Sequence, residues 1–302
     1  MIANTINRPV NQTTNQISKQ RPDPTLIGRN NAKFSWGSRT YIMGILNVTP
    51  DSFSDGGDFN QLEPAVQQAL LMAENGADII DIGGQSTRPG AAQISLQAEL
   101  ARVIPVIKAI RQQSQITISI DTTVAEVAQE AIAAGANIIN DISGATFDPQ
   151  MLAVAAQLQV PIILMHIRGT PQTMQSLTDY QDLVAEITNF LEQQVQKAIA
   201  AGVQPNNIIL DPGIGFAKDA KQNIQLIQQL TEFKKLNHPI LIGVSRKSFI
   251  GKIINQDNPK DRVWGTAAAN TSAIAMGADI LRVHDVPQMY DVARVADAIW
   301  RK

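Results

Sequence analysis

The 302-residue chain is long enough for one large α/β domain or two smaller ones, and a hydrophobic fraction of 44% predicts a sizeable packed core. Its formal net charge of −2 gives no broad basic field, which argues against a nucleic acid partner, and no apolar run approaches the length that spans a membrane. Cysteine is absent, which excludes disulfides and thiolate metal sites and favours a reducing cytoplasm.

The first segment, residues 1–31, is rich in Asn, Gln, Thr and Pro and has almost no apolar periodicity. It lacks the charged start, apolar centre and small-residue cleavage site of a secretory signal, and an organellar transit peptide is the weaker alternative. Such a composition cannot bury enough apolar surface to offset the entropy lost on ordering. We therefore expect a disordered polar extension, followed by a single domain over residues 32–302.

From residue 41 onwards, short β-branched runs alternate with longer segments of helical periodicity. The runs are apolar on both faces, which is typical of parallel strands buried on both sides. They lie at 41–46, 78–82, 117–121, 137–141, 161–166, 207–211, 239–244 and 279–284. Helical periodicity is found between them, for example at 63–75, 123–134, 181–201 and 264–276.

Three of these strands belong to a partial internal repeat, in which a glycine precedes the strand and a polar residue follows its apolar centre. The copies are GADIID (76–81), GANIIN (135–140) and GADILR (277–282). A glycine can end a helix in the left-handed conformation, and we expect the polar residue at the carboxyl end of the strand. Together with the other five runs, these make eight strand–helix units, which predict a (β/α)8 TIM barrel. A doubly wound open sheet is the alternative, although the first βα turn lacks the dinucleotide-binding glycine pattern.

Polar or ionisable side chains collect where the predicted strands end. They are Asn47, Asp81, Asp121, Asn140, His166, Asp211, Lys247, Arg282 and His284. Any one of them alone, such as Asp121, is explained as readily by a helix cap. Because the carboxyl ends of the strands in a barrel meet at one face, so many convergent groups predict a binding site there.

Two kinds of chemistry are represented among these residues. Acceptors and donors suited to a flat heterocycle come from Asp121, Asn140, Asp211 and Lys247. Donors suited to phosphate oxygens come from Arg88, Arg282 and His284. No histidine or cysteine spacing indicates a metal site, but Mg²⁺ held mostly by substrate phosphates and one protein oxygen would leave little trace in a sequence.

A set of motifs makes a resemblance specific. They are ILNVTPDSFSDGG (45–57), DIIDIGGQSTRPGA (78–91), SIDTT (119–123), INDISG (139–144), LMHIRGTP (164–171), LDPGIGFAK (210–218), GVSRKSFIG (243–251) and ILRVHDV (280–286). In this order they resemble the dihydropteroate synthase family of pterin-binding barrels, over about residues 41–286. That family is made up of transferases of folate biosynthesis, which join 6-hydroxymethyl-7,8-dihydropterin diphosphate to 4-aminobenzoate and release diphosphate. The resemblance also implies a cytoplasmic homodimer that uses magnesium.

The resemblance implies a role for each matching position. The pterin ring would be held by Asp121, Asn140, Asp211 and Lys247, with Met165 packed against it and Arg282 alongside. Asn47 would contact the magnesium, and the diphosphate would be bound by Thr87, Arg282 and His284. The 4-aminobenzoate pocket would be formed by Phe53, Thr87, Pro89, Phe216, Lys247 and Ser248. Catalytic roles would fall to Asp55, Arg88, Asp211 and Lys247.

Three positions depart from the family's pattern. Gln85 stands where many members have Glu, Ile167 where Met is common, and Ala217 where Gly is common. Ala217 adjoins Phe216, so this departure bears on the shape of that loop and leaves the reaction unaffected.

The loop after the first strand, 47–57, is longer than the usual connection of about four to six residues. With Asn47 on the strand end, Phe53 could cover the ring of the aromatic amine and Asp55 could approach its nitrogen. Gly56 and Gly57 allow the segment to fold over and return. We therefore interpret it as a lid over the site.

Two rival functions use part of the same site. A pterin-binding methyltransferase of related barrel fold would share Asp121, Asn140 and Asp211 but has no need of STRPGA (86–91) or SRKS (245–248). A non-catalytic pterin-binding barrel would be indicated by losses at Arg88, Lys247 or His284, and all three residues are present.

Overall fold

A computed structural model describes residues 34–49, 62–88 and 90–301, and the structural statements that follow concern these ranges. The predicted extension at 1–31 lies outside them, as do the lid residues 50–57. Within the described ranges, no helix is both long enough and apolar enough to cross a membrane.

Strands and helices alternate along the chain. The strands are β1 (Tyr41–Asn47), β2 (Ile79–Gly83), β3 (Thr117–Asp121), β4 (Ile138–Asp141), β5 (Ile162–Met165), β6 (Ile208–Asp211), β7 (Leu241–Ile242) and β8 (Ile280–Val283). The α-helices are α1 (Leu62–Glu74), α2 (Leu96–Gln113), α3 (Ala125–Ala134), α4 (Met151–Leu158), α5 (Leu183–Ala200), α6 (Ala220–Gln228), α7 (Ser248–Ile254), α8 (Val263–Ala275) and α9 (Val286–Trp300). The predicted helices appear as α1, α3, α5 and α8, with ends displaced by one or two residues.

The described strands form one parallel sheet that closes on itself. Its order is β6-β5-β4-β3-β2-β1-β8-β7, eight strands in all among the described residues. The two outer strands meet through a parallel bridge between Leu210 and Ile240, and the Leu210 amide donates to the Pro239 carbonyl at 2.9 Å. This closure confirms the predicted (β/α)8 barrel and excludes the open sheet.

Side chains alternate across each strand, so one set faces the helices and the other fills the barrel. On β2, Ile80 and Ile82 pack with the surrounding helices, whereas Ile79 belongs to a second cluster inside the barrel. Both faces are therefore buried, which explains why the strands read as continuous apolar runs.

An aromatic cluster closes the amino-terminal end of the barrel. Phe34 stacks on Trp36 with ring centroids 5.2 Å apart, and Tyr41 packs edge-on to Phe34 at 4.6 Å. The Tyr41 hydroxyl accepts a hydrogen bond from the Ser35 amide at 2.7 Å. Within the described residues this end is therefore filled, which leaves the carboxyl end for a ligand to enter.

The repeated glycines adopt the conformation expected from the sequence. Gly76, Gly135 and Gly277 have φ of 97°, 121° and 97°, in the left-handed region. At Gly76 the neighbouring ring is also so close that an added Cβ would lie 2.3 Å from Tyr290 Cδ2. The glycines therefore turn the chain from helix to strand where a side chain would strain the backbone and, at Gly76, clash.

The seventh strand is shorter than predicted. The sequence run 239–244 is apolar throughout, but only Leu241–Ile242 forms a ladder, with β8. On its other side the contact is the single bridge at Ile240 that closes the barrel. Apolar character therefore overestimates strand length where few backbone groups find a partner.

Candidate functional site

Inside the barrel, the side chains change from apolar to polar along the strand direction. The positions nearer the amino-terminal end of the barrel are occupied by Met43, Ile79, Ile138, Ile163, Ile209, Leu241 and Ile280. Two residues further along, and so facing the same way, are Asp81, Asn140, Met165, Asp211 and Arg282. A polar layer thus lies on an apolar one, with the open carboxyl end above it.

Arg282 crosses this layer and joins two carboxylates. Its Nε donates to Asp81 Oδ2 at 2.6 Å, and its Nη2 donates to Asp121 Oδ2 at 2.6 Å. Burial alone would lower the pKa of Arg282, but Asp81 and Asp121 together raise it above its ordinary value. The guanidinium therefore remains a cation at the centre of the site.

Three carboxylates at strand ends, Asp121, Asp141 and Asp211, have pKa values shifted towards neutrality by burial. Burial raises the pKa of Asp211 to about 6, although Lys247 and Lys218 oppose the shift and the Gly213 amide donates to Asp211 at 2.7 Å. Burial also raises the pKa of Asp121, against the opposing effect of Arg282. Carboxylates shifted in this way within a concave site are candidates for functional groups.

Lys247 was predicted at the end of the seventh strand, but it lies beyond β7, in the loop before α7, because the strand is shorter than its apolar run. It is the residue that precedes α7, and its ammonium lies 4.3 Å from the centroid of the Phe216 ring. Burial and the nearby Arg282 lower the pKa of Lys247 to about 8, so the side chain is cationic at neutral pH. Ser248, the first residue of α7, is exposed beside it.

His284 is held as a neutral ring. The Ser245 hydroxyl accepts from the His284 amide at 3.1 Å and lies 3.0 Å from Nδ1, so the serine proton is available to Nδ1. Burial, with Arg246 and Arg282 nearby, lowers the pKa of His284 to about 3. In the tautomer in which Nδ1 accepts from Ser245, the ring proton is on Nε2, and His284 can act towards an anion as a hydrogen-bond donor without charge.

The remaining predicted site residues that the structure describes lie at strand ends or in the loop after β2. Asn47 ends β1 and is half-buried, Thr87 is half-buried in the loop after β2, and Arg88 is exposed there. Met165 ends β5, where its backbone pairs in register with Asp211. Outside the described residues lie Phe53, Asp55 and Pro89.

Two buried groups that the sequence interpretation left without a role belong to this region. Lys218 donates to the Phe216 carbonyl at 2.8 Å and lies 3.0 Å from His166 Nδ1. Burial lowers the pKa of Lys218 well below its usual value and, with Lys218 nearby, lowers that of His166 to about 2. The pair joins the loop after β6 to the end of β5, and thereby fixes the backbone that carries Phe216.

The departure at Ala217 has a structural consequence. Its φ is 51°, a left-handed conformation that costs a residue with a Cβ about 1–2 kcal/mol and that glycine adopts readily. The Tyr180 hydroxyl donates to the Ala217 carbonyl at 3.0 Å and holds this turn. Alanine is therefore accommodated with the loop in place.

The position of Asp81 differs from the sequence expectation. The repeat placed it at a strand end, but it is the third of the five residues in β2, and Arg282 is likewise the third of four in β8. Both side chains therefore lie within their strands, whereas Asp121 and Asp211 end theirs.

Comparison with known proteins is consistent with this geometry. The pattern of the family described as pterin binding enzymes matches residues 43–284. Dihydropteroate synthase of Synechocystis sp. is 62% identical over 286 residues, which cover 95% of this chain and 98% of the relative.

Solved structures give the same result. Dihydropteroate synthase of Clostridium difficile, determined in the presence of pteroic acid, has a TM-score of 0.85 at 48% identity and covers 89% of this chain and 100% of its own. The Xanthomonas albilineans dihydropteroate synthase with 4-aminobenzoic acid has a TM-score of 0.82 at 43% identity and covers 87% of this chain and 94% of its own. The chain described here therefore belongs to the pterin-binding enzyme family, and within it to the dihydropteroate synthases.

Proposed function

As a dihydropteroate synthase, the protein is a transferase of folate synthesis, and we propose that it divides the reaction between a rigid pterin site and loops that complete the amine site. The reaction joins 6-hydroxymethyl-7,8-dihydropterin diphosphate to 4-aminobenzoate and releases diphosphate. The observation that carries the division is the polar layer on the strands, which the barrel holds in place without help from the long loops.

The pterin ring is assigned to Asp121, Asn140, Asp211 and Lys247. Carboxylates and amides on adjacent strands can pair with the amino and amide groups along the edge of the ring. Met165, buried at the end of β5, would pack on the ring face, and Arg282 would lie alongside. Since all of these groups except Lys247 sit on strands, the site needs little rearrangement to receive a flat ligand.

The chemical step joins a weak neutral amine to a methylene carbon that bears a good leaving group. An electron-rich dihydropterin stabilises positive charge at that carbon, so diphosphate can leave before the amine attacks. The ionised Asp211 would favour the cationic ring, and the donors Arg88, Arg282 and His284 would stabilise charge on the departing diphosphate. No strong general base is needed.

The amine site is assigned to Thr87, Phe216, Lys247 and Ser248, together with Phe53, Asp55 and Pro89. Phe216 and Lys247 already form one wall, with the ammonium over the ring. The cation can also attract the carboxylate of 4-aminobenzoate. Asp55 would approach the attacking nitrogen from the loop after β1.

Magnesium is proposed as the metal that accompanies the diphosphate. Among the described residues, no group of three or more His, Cys, Asp or Glu side chains could hold a metal ion. One amide oxygen, that of Asn47 at the carboxyl end of β1, fits a hard cation whose other ligands are phosphate oxygens and water. Bound there, the ion would neutralise charge on the diphosphate.

The direct test is an assay of diphosphate release by the purified protein. Release should require both the pterin diphosphate and 4-aminobenzoate, and it should be lost when either is omitted. A methyltransferase or a non-catalytic pterin-binding protein would release no diphosphate under these conditions, and that result would overturn the assignment.

The rate is expected to depend on pH in a bell-shaped manner. On the acid side it should fall as the pH drops through about 6, because protonation removes the charge of Asp211. On the alkaline side it should fall above about 8, because Lys247 loses its proton. Values of kcat/KM for the pterin diphosphate, measured across both pH values, test this because they report groups of the free enzyme. A kcat/KM that is unchanged on passing below about pH 6 would contradict the role of Asp211.

We also propose that the protein is a homodimer that works in the cytoplasm. The absence of cysteine fits a reducing compartment. On the surface, Ile253 of α7 and Trp264 of α8 are 59% and 77% exposed. The two helices are in close contact, since a Cβ on Gly265 would lie 2.4 Å from Ile250 Cγ2. Exposed apolar side chains on neighbouring helices are typical of an interface between subunits.

Trp264→Glu should convert the dimer to a monomer, because a carboxylate cannot be buried in an apolar interface without a partner. Light scattering after gel filtration measures the mass directly. Leu71→Glu on α1 is the matched control, since Leu71 is 54% exposed on a helix away from this surface and should leave the mass unchanged. A wild-type protein that runs as a monomer would refute the proposal.

A further inference from the structure

Asp81 is a fully buried carboxylate for which the reaction described above has no role. It faces the barrel interior in β2, paired in register with Ser119 of β3. A single oxygen atom, Oδ2, accepts from Arg282 Nε at 2.6 Å and from Asn140 Nδ2 at 3.1 Å. These donors come from β8 and β4, two strands away on either side. One atom therefore connects two side chains that are assigned to the substrate.

The arrangement is poorly explained as a device for stability. The other oxygen, Oδ1, has no hydrogen-bond partner among the described residues, and the same is true there of the hydroxyl of Ser119. A buried acceptor without a donor destabilises a fold, and an apolar residue often replaces a buried ion pair without loss of stability. A buried carboxylate with an unpaired oxygen, such as Asp81, is more readily explained by the geometry that it imposes on its hydrogen-bond donors.

We propose that Asp81 is a positioning residue, which sets the guanidinium of Arg282 and the amide of Asn140 for the pterin diphosphate. The inference rests on the proposed function of those two side chains. A guanidinium is planar with its donors in a fixed relation, so anchoring Nε also directs the other nitrogens. Without Asp81, Arg282 would rely on Asp121, a carboxylate that the pterin itself needs.

The variant that tests this is Asp81→Asn. An asparagine keeps the size of the side chain, and its oxygen can still accept from Arg282 Nε and Asn140 Nδ2, so the fold should persist. The charge that orients Arg282 is lost, and kcat/KM for the pterin diphosphate should fall by about tenfold to a hundredfold. The KM for 4-aminobenzoate should change by less than about twofold, since Asp81 is not connected to that pocket.

A double-mutant cycle with Arg282→Gln separates positioning from an independent effect. If Asp81 acts through Arg282, adding Asp81→Asn to Arg282→Gln should lower kcat/KM much less than it does alone. If the fold-losses in kcat/KM of the two single variants multiply in the double variant, the proposal is overturned. Because every comparison is made to wild-type turnover, a failure here is distinct from a wild type that lacks the activity.

Asp279→Asn is the matched control. Asp279 is equally buried, accepts from the Ile240 amide at 2.9 Å and lies at the amino end of β8, away from the site. Its replacement should lower the melting temperature and leave kcat/KM within about twofold, and an equal loss in both variants would contradict a positioning role.

If Asp81→Asn does not fold, Arg282→Lys tests the same geometry. A single ammonium cannot engage Asp81 and Asp121 in the manner of the guanidinium, so turnover should fall as far as in Arg282→Gln. Wild-type turnover in Arg282→Lys would overturn the proposal.

Discussion

Asp211→Asn is expected to lower kcat by about a hundredfold to a thousandfold, the loss that follows removal of one preorganised electrostatic group. The substitution keeps the size of the side chain. The asparagine oxygen can still accept the hydrogen bond that the Gly213 amide donates to Asp211 at 2.7 Å. The turn after β6 should therefore remain. What disappears is the negative charge that favours a cationic pterin, and the acid limb of the pH profile should disappear with it.

Asp141→Asn is the matched control for this variant. Asp141 is also buried at the end of a strand, but its carboxylate accepts from the Ser143 and Ala145 amides at 2.7 and 3.1 Å, within the following turn. The control should lose thermal stability and retain kcat. Normal turnover in Asp211→Asn, measured by diphosphate release, would show that the charge does not act on the chemical step.

Lys247→Ala is expected to impair both halves of the site. The ammonium contributes to the field that keeps Asp211 ionised, and it packs over the Phe216 ring that borders the amine pocket. Its removal should raise the KM for both substrates and lower kcat/KM by about a hundredfold, comparable to other charged groups in a site shielded from water.

The Lys252→Ala variant controls for a general effect of charge on α7. Lys252 lies in the last turn of the same helix and is exposed. Steady-state kinetics of this variant should match the wild type. A Lys247→Ala protein that loses stability but keeps both KM values would place the lysine outside the site.

The fold could be predicted because its signal is local. The repeated glycines, with φ of 97° and 121° at Gly76 and Gly135, mark the turns from helix to strand. The apolar runs between them are long enough to identify parallel strands. β7 was overestimated because strand length depends on the partners a strand finds, and these are absent from the local sequence.

That polar side chains gather inside the barrel could be predicted from the strand pattern, but their connections could not. Arg282 is separated from Asp81 by 201 positions and from Asp121 by 161, so no local pattern reveals the pairing. The depth of Asp81 depends on register, and a shift of two residues moves a side chain to a different layer. Likewise, the neutral state of His284 follows from burial and from Ser245, which only the folded chain brings together.

The division into a rigid pterin site and an amine site completed by loops can be tested by calorimetry. A bare pterin without the diphosphate should bind the free protein, because most of its proposed partners, Asp121, Asn140 and Asp211, lie on strands. In contrast, 4-aminobenzoate should bind weakly alone and tightly once magnesium and diphosphate are present, because the charged ligand gathers Arg88 and Asp55. Arg88→Ala should remove that enhancement and leave pterin binding intact. Equal affinity for 4-aminobenzoate with and without magnesium diphosphate would contradict the account.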